Sequence, residues 1–233
     1  MSKVIVITGT SKGIGKALAE YFLSQDNIVV GCSRAKPSIE HQNYRHFSLD
    51  VEDEKAVVRM IREVKKEFKH IDILINNAGT ASMNHILTTS KESTIRVLNT
   101  NFVGTFLFTR EVSKVMMRQG KGRIINFSTV AKALNLDGEA IYASSKAAVE
   151  TFSKTSAKEL SPFGITVNVI APTPIQTDLI KAVPKDKIKN LLDKQAIKRF
   201  GQFEDIINVV EFFASSKSSF ITGQVIYLGG VMQ

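Results

Sequence analysis

The chain has no tryptophan and one cysteine in 233 residues. A lone thiol, Cys32, cannot close an intramolecular disulfide, so the fold must rest on burial, and a reducing, cytoplasmic setting fits. Cys32 ends an apolar run and reads as a buried side chain. No apolar run reaches the ~20 residues that cross a bilayer. The first run, Val4-Ile5-Val6-Ile7, is too short for the core of a secretory signal and leads at once into a glycine-rich turn. No membrane association is expected. Repeats, low-complexity tracts and linkers are lacking too, which makes residues 1–233 one expected domain, long enough to bury a substantial core.

Acidic residues are in short supply, and the resulting charge of +9 is unevenly spread. Between Lys181 and Arg199, seven lysines and arginines oppose only Asp186 and Asp193. Such a run is either a solvated helix face or an attractor for an anionic substrate or acidic carrier. Nucleic acid is the poorer partner, since no aromatic residues are interleaved with these charges and no known binding motif occurs. No metal is expected.

What is present is an alternation of short β-branched runs with helical stretches. The runs are Val4–Ile7, Ile28–Val30, His46–Leu49, Ile71–Ile75, Ile124–Phe127, Thr166–Ile170 and Val225–Leu228. Helices are predicted over Ile14–Leu23, Glu54–Phe68, Phe102–Met117, Tyr142–Leu160 and Glu204–Ala214. The pattern predicts an α/β fold: a doubly wound, seven-stranded parallel sheet with helices on both faces, the Rossmann arrangement. The segment from Pro172 to about Arg199, with its prolines, lysines and patchy periodicity, reads as a substrate lid at about 172–200.

Thr8-Gly9-Thr10-Ser11-Lys12-Gly13-Ile14-Gly15 follows the first strand and opens the first helix, the context a dinucleotide-binding turn needs. Glycine lets the backbone approach a pyrophosphate, whose charge suits a helix N-terminus. After the second strand comes Gly31-Cys32-Ser33-Arg34, with no acid until Glu40. A ribose 2′-hydroxyl calls for an acid there and a 2′-phosphate for positive charge, so Ser33 and Arg34, with Lys12, favour NADP(H) over NAD.

Tyr142-Ala-Ser-Ser-Lys146 places a phenol and an ammonium one helical turn apart. A positive charge ~4 Å from the phenol, at an effective dielectric of ~20, stabilises its anion by on the order of 4 kcal/mol, or about 3 pK units. The phenol is therefore expected to titrate near neutrality and to act as an acid–base group.

The glycine turn, Asn76-Asn-Ala-Gly79, Tyr142-x-x-x-Lys146 and Ile221-Thr-Gly-Gln224 stand in the order and spacing of the short-chain dehydrogenase/reductase family, which the chain resembles from Val4 to about Gly230. Within it, the chain is most similar to 3-oxoacyl-carrier-protein reductases. The resemblance implies that Tyr142 donates a proton to a substrate carbonyl while NADPH delivers hydride, and that Lys146 lowers the phenol's pKa and holds the nicotinamide ribose. It implies that Asn101 interrupts its helix and anchors a water chain, although an Asn there is also a good helix cap. Asp50 and Val51 would meet the adenine, with Asp50 also a candidate N-cap for the next helix. Asn77, Ala78 and Gly79 would line the adenosine ribose, and Pro172, Ile175 and Thr177 the nicotinamide end.

Two positions depart from the family. Thr129 stands where a serine usually lies, 13 residues before the tyrosine, and is preceded by Ser128. Neighbouring side chains leaving a strand point opposite ways, and Thr129 is the expected functional hydroxyl. Thr173 replaces a glycine after Pro172, and Pro174 should stiffen the loop further. The expected activity is NADPH-dependent reduction of a 3-oxoacyl thioester on acyl carrier protein or CoA. Another small carbonyl or alcohol (sugar, quinone, steroid-like) is the alternative substrate, and a non-catalytic NADP(H) sensor the alternative class. The family implies a homotetramer or homodimer, for which Ala143, Ala147 and Ala148 would permit close packing, although they can equally face their own sheet.

Overall fold

The computed structural model describes residues 2–176 and 185–231, the side chains of 185–187 excepted. The strands are β1 (Val4–Thr8), β2 (Ile28–Ser33), β3 (Tyr44–Ser48), β4 (Ile73–Asn76), β5 (Gly122–Phe127), β6 (Ile165–Ala171) and β7 (Val225–Tyr227). They form one seven-stranded sheet in the order β3-β2-β1-β4-β5-β6-β7, every neighbouring pair parallel. The helices are α1 (Gly13–Ser24), α2 (Glu54–Phe68), α3 (Lys91–Leu98), α4 (Gly104–Gln119), α5 (Val130–Leu134), α6 (Ala140–Leu160), α7 (Lys185–Asp193) and α8 (Phe203–Ala214).

Continuous apolar strands follow from a sheet covered on both faces. Successive side chains alternate between the faces, so Val4 and Val6 enter a cluster with α2 and α4. Ile5 and Ile7 enter the opposite cluster, with α1 and α8. Helix α2 shows why its span was legible: Val57, Met60, Ile61 and Val64 recur at helical spacing and are all buried. Its N-cap is Asp53, whose carboxylate accepts the Ala56 N–H at 3.1 Å. Asp50, expected as a possible cap, lies one turn too early and accepts the Glu52 N–H at 3.3 Å. Cys32 is buried, and withdrawal from water pushes its thiol up to about 12.

Some boundaries move. The third strand starts earlier than His46 and the fourth later than Ile71, whose N–H is taken by the Gln119 side chain at 2.9 Å. Helix α3 was not foreseen, because only Val97 of it is buried and no apolar stripe betrays it. The helix expected from Phe102 begins as a π turn over Asn99–Val103.

Chain order reverses at β1, with β2 on one side and β4 on the other. In open α/β sheets ligands bind outside the carboxyl ends of the strands at such a point. The segment expected as a lid is anchored at both ends. Thr173 and Ile175 are buried, and Gly201 N–H donates to Pro174 O at 3.0 Å. Gln195, also buried, donates from Nε2 to Ile197 O and Arg199 O, both at 3.1 Å. Residues 173–175 are therefore packed against the body of the fold. Thr177, Lys181 and Pro184 lie outside the described residues.

Candidate active site

The glycine turn closes against the loop after β4. Gly9 has φ +77, and a Cβ there would lie 2.9 Å from Asn77 Nδ2 and 3.0 Å from Ala78 Cα. A Cβ on Gly15 would meet Gly9 O at 2.3 Å. Both positions thus require glycine, one for its backbone and one for space. Thr8 Oγ1 accepts the N–H groups of Asn77 (3.1 Å) and Ala78 (2.9 Å), and Asn77 Nδ2 donates to Thr8 O at 3.0 Å. The turn and the Asn77–Gly79 loop form one cradle, into which α1 presents its N-terminus at Gly13 and Ile14, with Ser11 and exposed Lys12 leading in. Such a cradle, with backbone donors at a helix N-terminus, fits a pyrophosphate.

At the outer end of the cradle, Ser33 is buried and its Oγ donates to Ala35 O at 3.0 Å. Arg34 is largely exposed, with its guanidinium 3.8 Å from Asp50 Oδ2. That spacing leaves the arginine able to take a second anionic partner. Val51 is buried against Gly104, where a Cβ would lie 2.7 Å from the valine side chain.

On the other side, α6 brings Tyr142 and Lys146 to the end of β5. Lys146 is buried, and its Nζ donates to Phe127 O at 2.9 Å. Burial lowers this ammonium to about 8. Tyr142 is pushed up to about 12, chiefly by withdrawal from water and then by the Glu139 carboxylate, against a lowering hydrogen bond to Thr129. This corrects the expectation that Lys146 would bring the phenol to neutrality: the ammonium is itself short of water and spends its bond on a carbonyl. At neutral pH Tyr142 is a phenol, the form that donates.

Asn101 is fully buried in the π turn and interrupts the helix as expected. Its Oδ1 accepts the Thr80 N–H at 2.8 Å, and its Nδ2 donates to Thr80 O and Ser145 Oγ, both at 2.9 Å. A Cβ on Gly79 would lie 3.2 Å from Asn101 Oδ1 and 3.4 Å from Lys146 Nζ. The amide, the ammonium and the cradle therefore meet at one backbone point. Ser145, which the sequence reading passed over, sits in the Tyr142–Lys146 interval, and that position was its signal.

The two neighbouring hydroxyls go to different partners. Ser128 Oγ donates to Glu150 Oε1 at 2.5 Å, inside the protein, whereas Thr129 bonds the Tyr142 phenol. Thr129 Oγ1 also accepts the Ala131 N–H at 3.2 Å as the N-cap of α5. Thr129→Ala is expected to lower kcat by about 10²-fold, the usual cost of losing one donor to a reacting oxygen. Ser128→Ala is expected to cost no more than about a tenth of that, on the same scale; a reversed order in steady-state rates would overturn the assignment.

Beyond the strand, Pro172 O accepts the Val130 N–H at 3.2 Å. The Ile175 side chain is in the core, so only its backbone remains for a ligand. The described residues hold no cluster of His, Cys, Asp and Glu that would bind a metal ion, and no helix among them is long and apolar enough to cross a membrane.

A family profile described as Enoyl-(Acyl carrier protein) reductase matches residues 9–231. The chain is similar to the 3-oxoacyl-[acyl-carrier-protein] reductase of Staphylococcus epidermidis, at 35% identity over 242 residues that span 100% of this chain and 99% of that protein. Among solved structures, the ligand-free aldohexose dehydrogenase of Thermoplasma acidophilum superposes with a TM-score of 0.90 at 30% identity, covering 99% of this chain and 94% of that one. ElxO with NADP bound gives a TM-score of 0.90 at 30% identity, over 98% of this chain and 97% of its own.

Proposed function

The chain belongs to the short-chain dehydrogenase/reductase family of oxidoreductases, and from that premise we propose that it is an NADPH-dependent carbonyl reductase whose substrate is a 3-oxoacyl thioester on acyl carrier protein or CoA. One observation carries the reading most directly: the Tyr142 phenol, hydrogen-bonded to Thr129, stands one helical turn from a buried ammonium that borders the glycine cradle.

In this reading Gly9, Ser11, Gly13, Ile14 and Gly15 hold the pyrophosphate, Lys12, Ser33 and Arg34 the 2′-phosphate, and Asp50 and Val51 the adenine. Asn77, Ala78 and Gly79 line one ribose, and Lys146 and Tyr142 the other. Pro172, the backbone of Ile175 and Thr177 complete the nicotinamide end. The bound dinucleotide supplies a hydride to the carbonyl carbon. Tyr142 Oη gives its proton to the carbonyl oxygen, and the Thr129 hydroxyl donates a hydrogen bond to that same oxygen. Two donors on one oxygen stabilise the charge that gathers there. An alkoxide is more basic than a phenolate, so the transfer from a phenol at about 12 is downhill. Lys146 then returns a proton to Tyr142, with Asn101 holding the water chain that refills it.

The charge at the outer end of the cradle supports NADP(H). Ser33→Asp combined with Arg34→Gln is expected to raise the KM for NADPH at least tenfold and to lower that for NADH, because the new acid bonds a ribose hydroxyl and repels a phosphate. An unchanged NADPH KM would remove the support.

The basic run supports an acidic carrier or a phosphorylated pantetheine arm, with Lys189, Lys194 and Lys198 exposed. Arg199 contributes little, since it already pairs with Asp205 at 2.7 Å. The segment at about 172–200 would be the substrate lid, within one domain over 1–233. A homotetramer or homodimer fits the aromatic face on α4 and α6, where Phe106 is partly exposed and packs on Phe152 at 6.1 Å between ring centroids; light scattering reads the assembly.

The substrate is tested by following NADPH and NADH oxidation against acetoacetyl-CoA, crotonyl-CoA, an aldohexose, a quinone and a steroid ketone. The expected result is fastest turnover of acetoacetyl-CoA with NADPH. Faster turnover of any other compound replaces the acyl substrate. Tight NADPH binding without oxidation by any of them would favour a dinucleotide sensor.

A further inference from the structure

Glu150 is a buried carboxylate that the mechanism above does not use. It lies on α6, one turn beyond Lys146 and two beyond Tyr142. Its Oε1 accepts from Ser128 Oγ at 2.5 Å and from Tyr227 Oη at 2.6 Å. Its Oε2 is 3.1 Å from Lys132 Nζ, and that ammonium also stands 5.8 Å from the Tyr227 ring centroid. Glu150 is 2% exposed. A carboxylate withdrawn this far is costly unless paired and hydrogen-bonded, and here both conditions are met by groups from the end of β5, from α5 and from β7.

The placement on β5 gives the cluster its meaning. Phe127, Ser128 and Thr129 are consecutive, and each is held by a different residue of one stripe on α6. Lys146 bonds the Phe127 carbonyl, Glu150 the Ser128 hydroxyl and Tyr142 the Thr129 hydroxyl. Fixing Ser128 inward fixes its neighbour outward. The Lys132 contact does the same from the far side of Thr129, because Lys132 N–H donates to Thr129 O at 3.3 Å.

We infer that Glu150 is a positioning residue for carbonyl reduction: by clamping Ser128, Lys132 and Tyr227 together it sets the direction of the Thr129 hydroxyl, so that it and the Tyr142 phenol converge on one oxygen. The inference rests on Tyr142 and Thr129 acting as proposed above, but not on the identity of the substrate. A displacement of about 1 Å at such a site costs up to 10²-fold in rate.

The test is a double-mutant cycle on Glu150→Ala and Thr129→Ala, assayed by NADPH oxidation with acetoacetyl-CoA, or with whichever carbonyl the panel shows to be reduced. A different preferred carbonyl would correct the substrate reading and leave this cycle intact. Glu150→Ala alone is expected to lower kcat at least tenfold, with the KM for NADPH within threefold of the parent. In the Thr129→Ala background the same change is expected to cost less than threefold, because the hydroxyl it aims is already gone. Glu150→Gln keeps an acceptor for both hydroxyls and is expected to recover most of the rate. If Glu150→Ala unfolds the protein, Lys132→Met runs the same cycle, with a kcat loss expected only when Thr129 is present. Multiplicative losses, or a kcat for Glu150→Ala within twofold of the parent, would overturn the inference.

Discussion

Tyr142→Phe is expected to lower kcat for carbonyl reduction by about 10³-fold, within the range that a positioned general acid contributes. The loss should fall on kcat, with the KM for NADPH within threefold of the parent, because the ring keeps its shape and only the proton goes. Stability should hold or rise slightly. The phenol bonds Thr129, and Thr129 retains the Ala131 N–H as a partner. Stopped-flow turnover together with a thermal melt separates the two effects. A residual rate within tenfold of the parent would mean that another group supplies the proton.

Lys146→Met is expected to abolish turnover while making the protein more stable. The ammonium is lowered from 10.5 to about 8 by burial alone, so the charged form is disfavoured in the folded chain. Below pH 8 it is protonated in the folded and unfolded chains alike, and folding bears the whole burial cost. Between about pH 8 and 10.5 only the folded chain releases the proton and the cost fades, so this group's contribution to stability improves with rising pH. At pH 7 the cost is on the order of 3 kcal/mol, offset in part by the bond to Phe127 O, worth about 1 kcal/mol net. Urea melts at pH 7 should therefore show Lys146→Met more stable by ~1–3 kcal/mol. The parent's gain between pH 8 and 10 should be missing from the variant. A destabilised variant would show that Lys146 is held by more than the Phe127 carbonyl.

Much of this architecture was legible because its signals are local. The span of α2 follows from four apolar residues at helical spacing, and the parallel sheet from apolar runs that serve two faces. The glycine turn declares itself by position, between a strand and a helix. Strand alternation puts Ser128 and Thr129 on opposite sides, and only the structure shows that Ser128 goes to Glu150 and Thr129 to Tyr142. What stayed hidden depends on partners distant in sequence. Asp50 and Asp53 look alike as caps, and the phase of α2 against the sheet decides for Asp53. Arg34 has Asp50 for company only because β2 and β3 lie side by side. The electrostatics of Tyr142 could not be read from its spacing to Lys146, because the depth of burial and then the Glu139 carboxylate outweigh that spacing. Glu150 carried a faint signal, a carboxylate on the stripe of α6 that also bears Tyr142 and Lys146, but its three partners come from three other elements.

Whether Tyr142 is the protonated donor is read most directly by titrating its phenol in the cofactor-free protein, using tyrosine labelled with carbon-13 at Cζ and Tyr142→Phe to assign the resonance. The predicted result is a Tyr142 signal that stays at the phenol position up to pH 10, well past the range in which the enzyme would work. A transition to phenolate near pH 7 would contradict it and restore the ammonium as the group that governs this tyrosine.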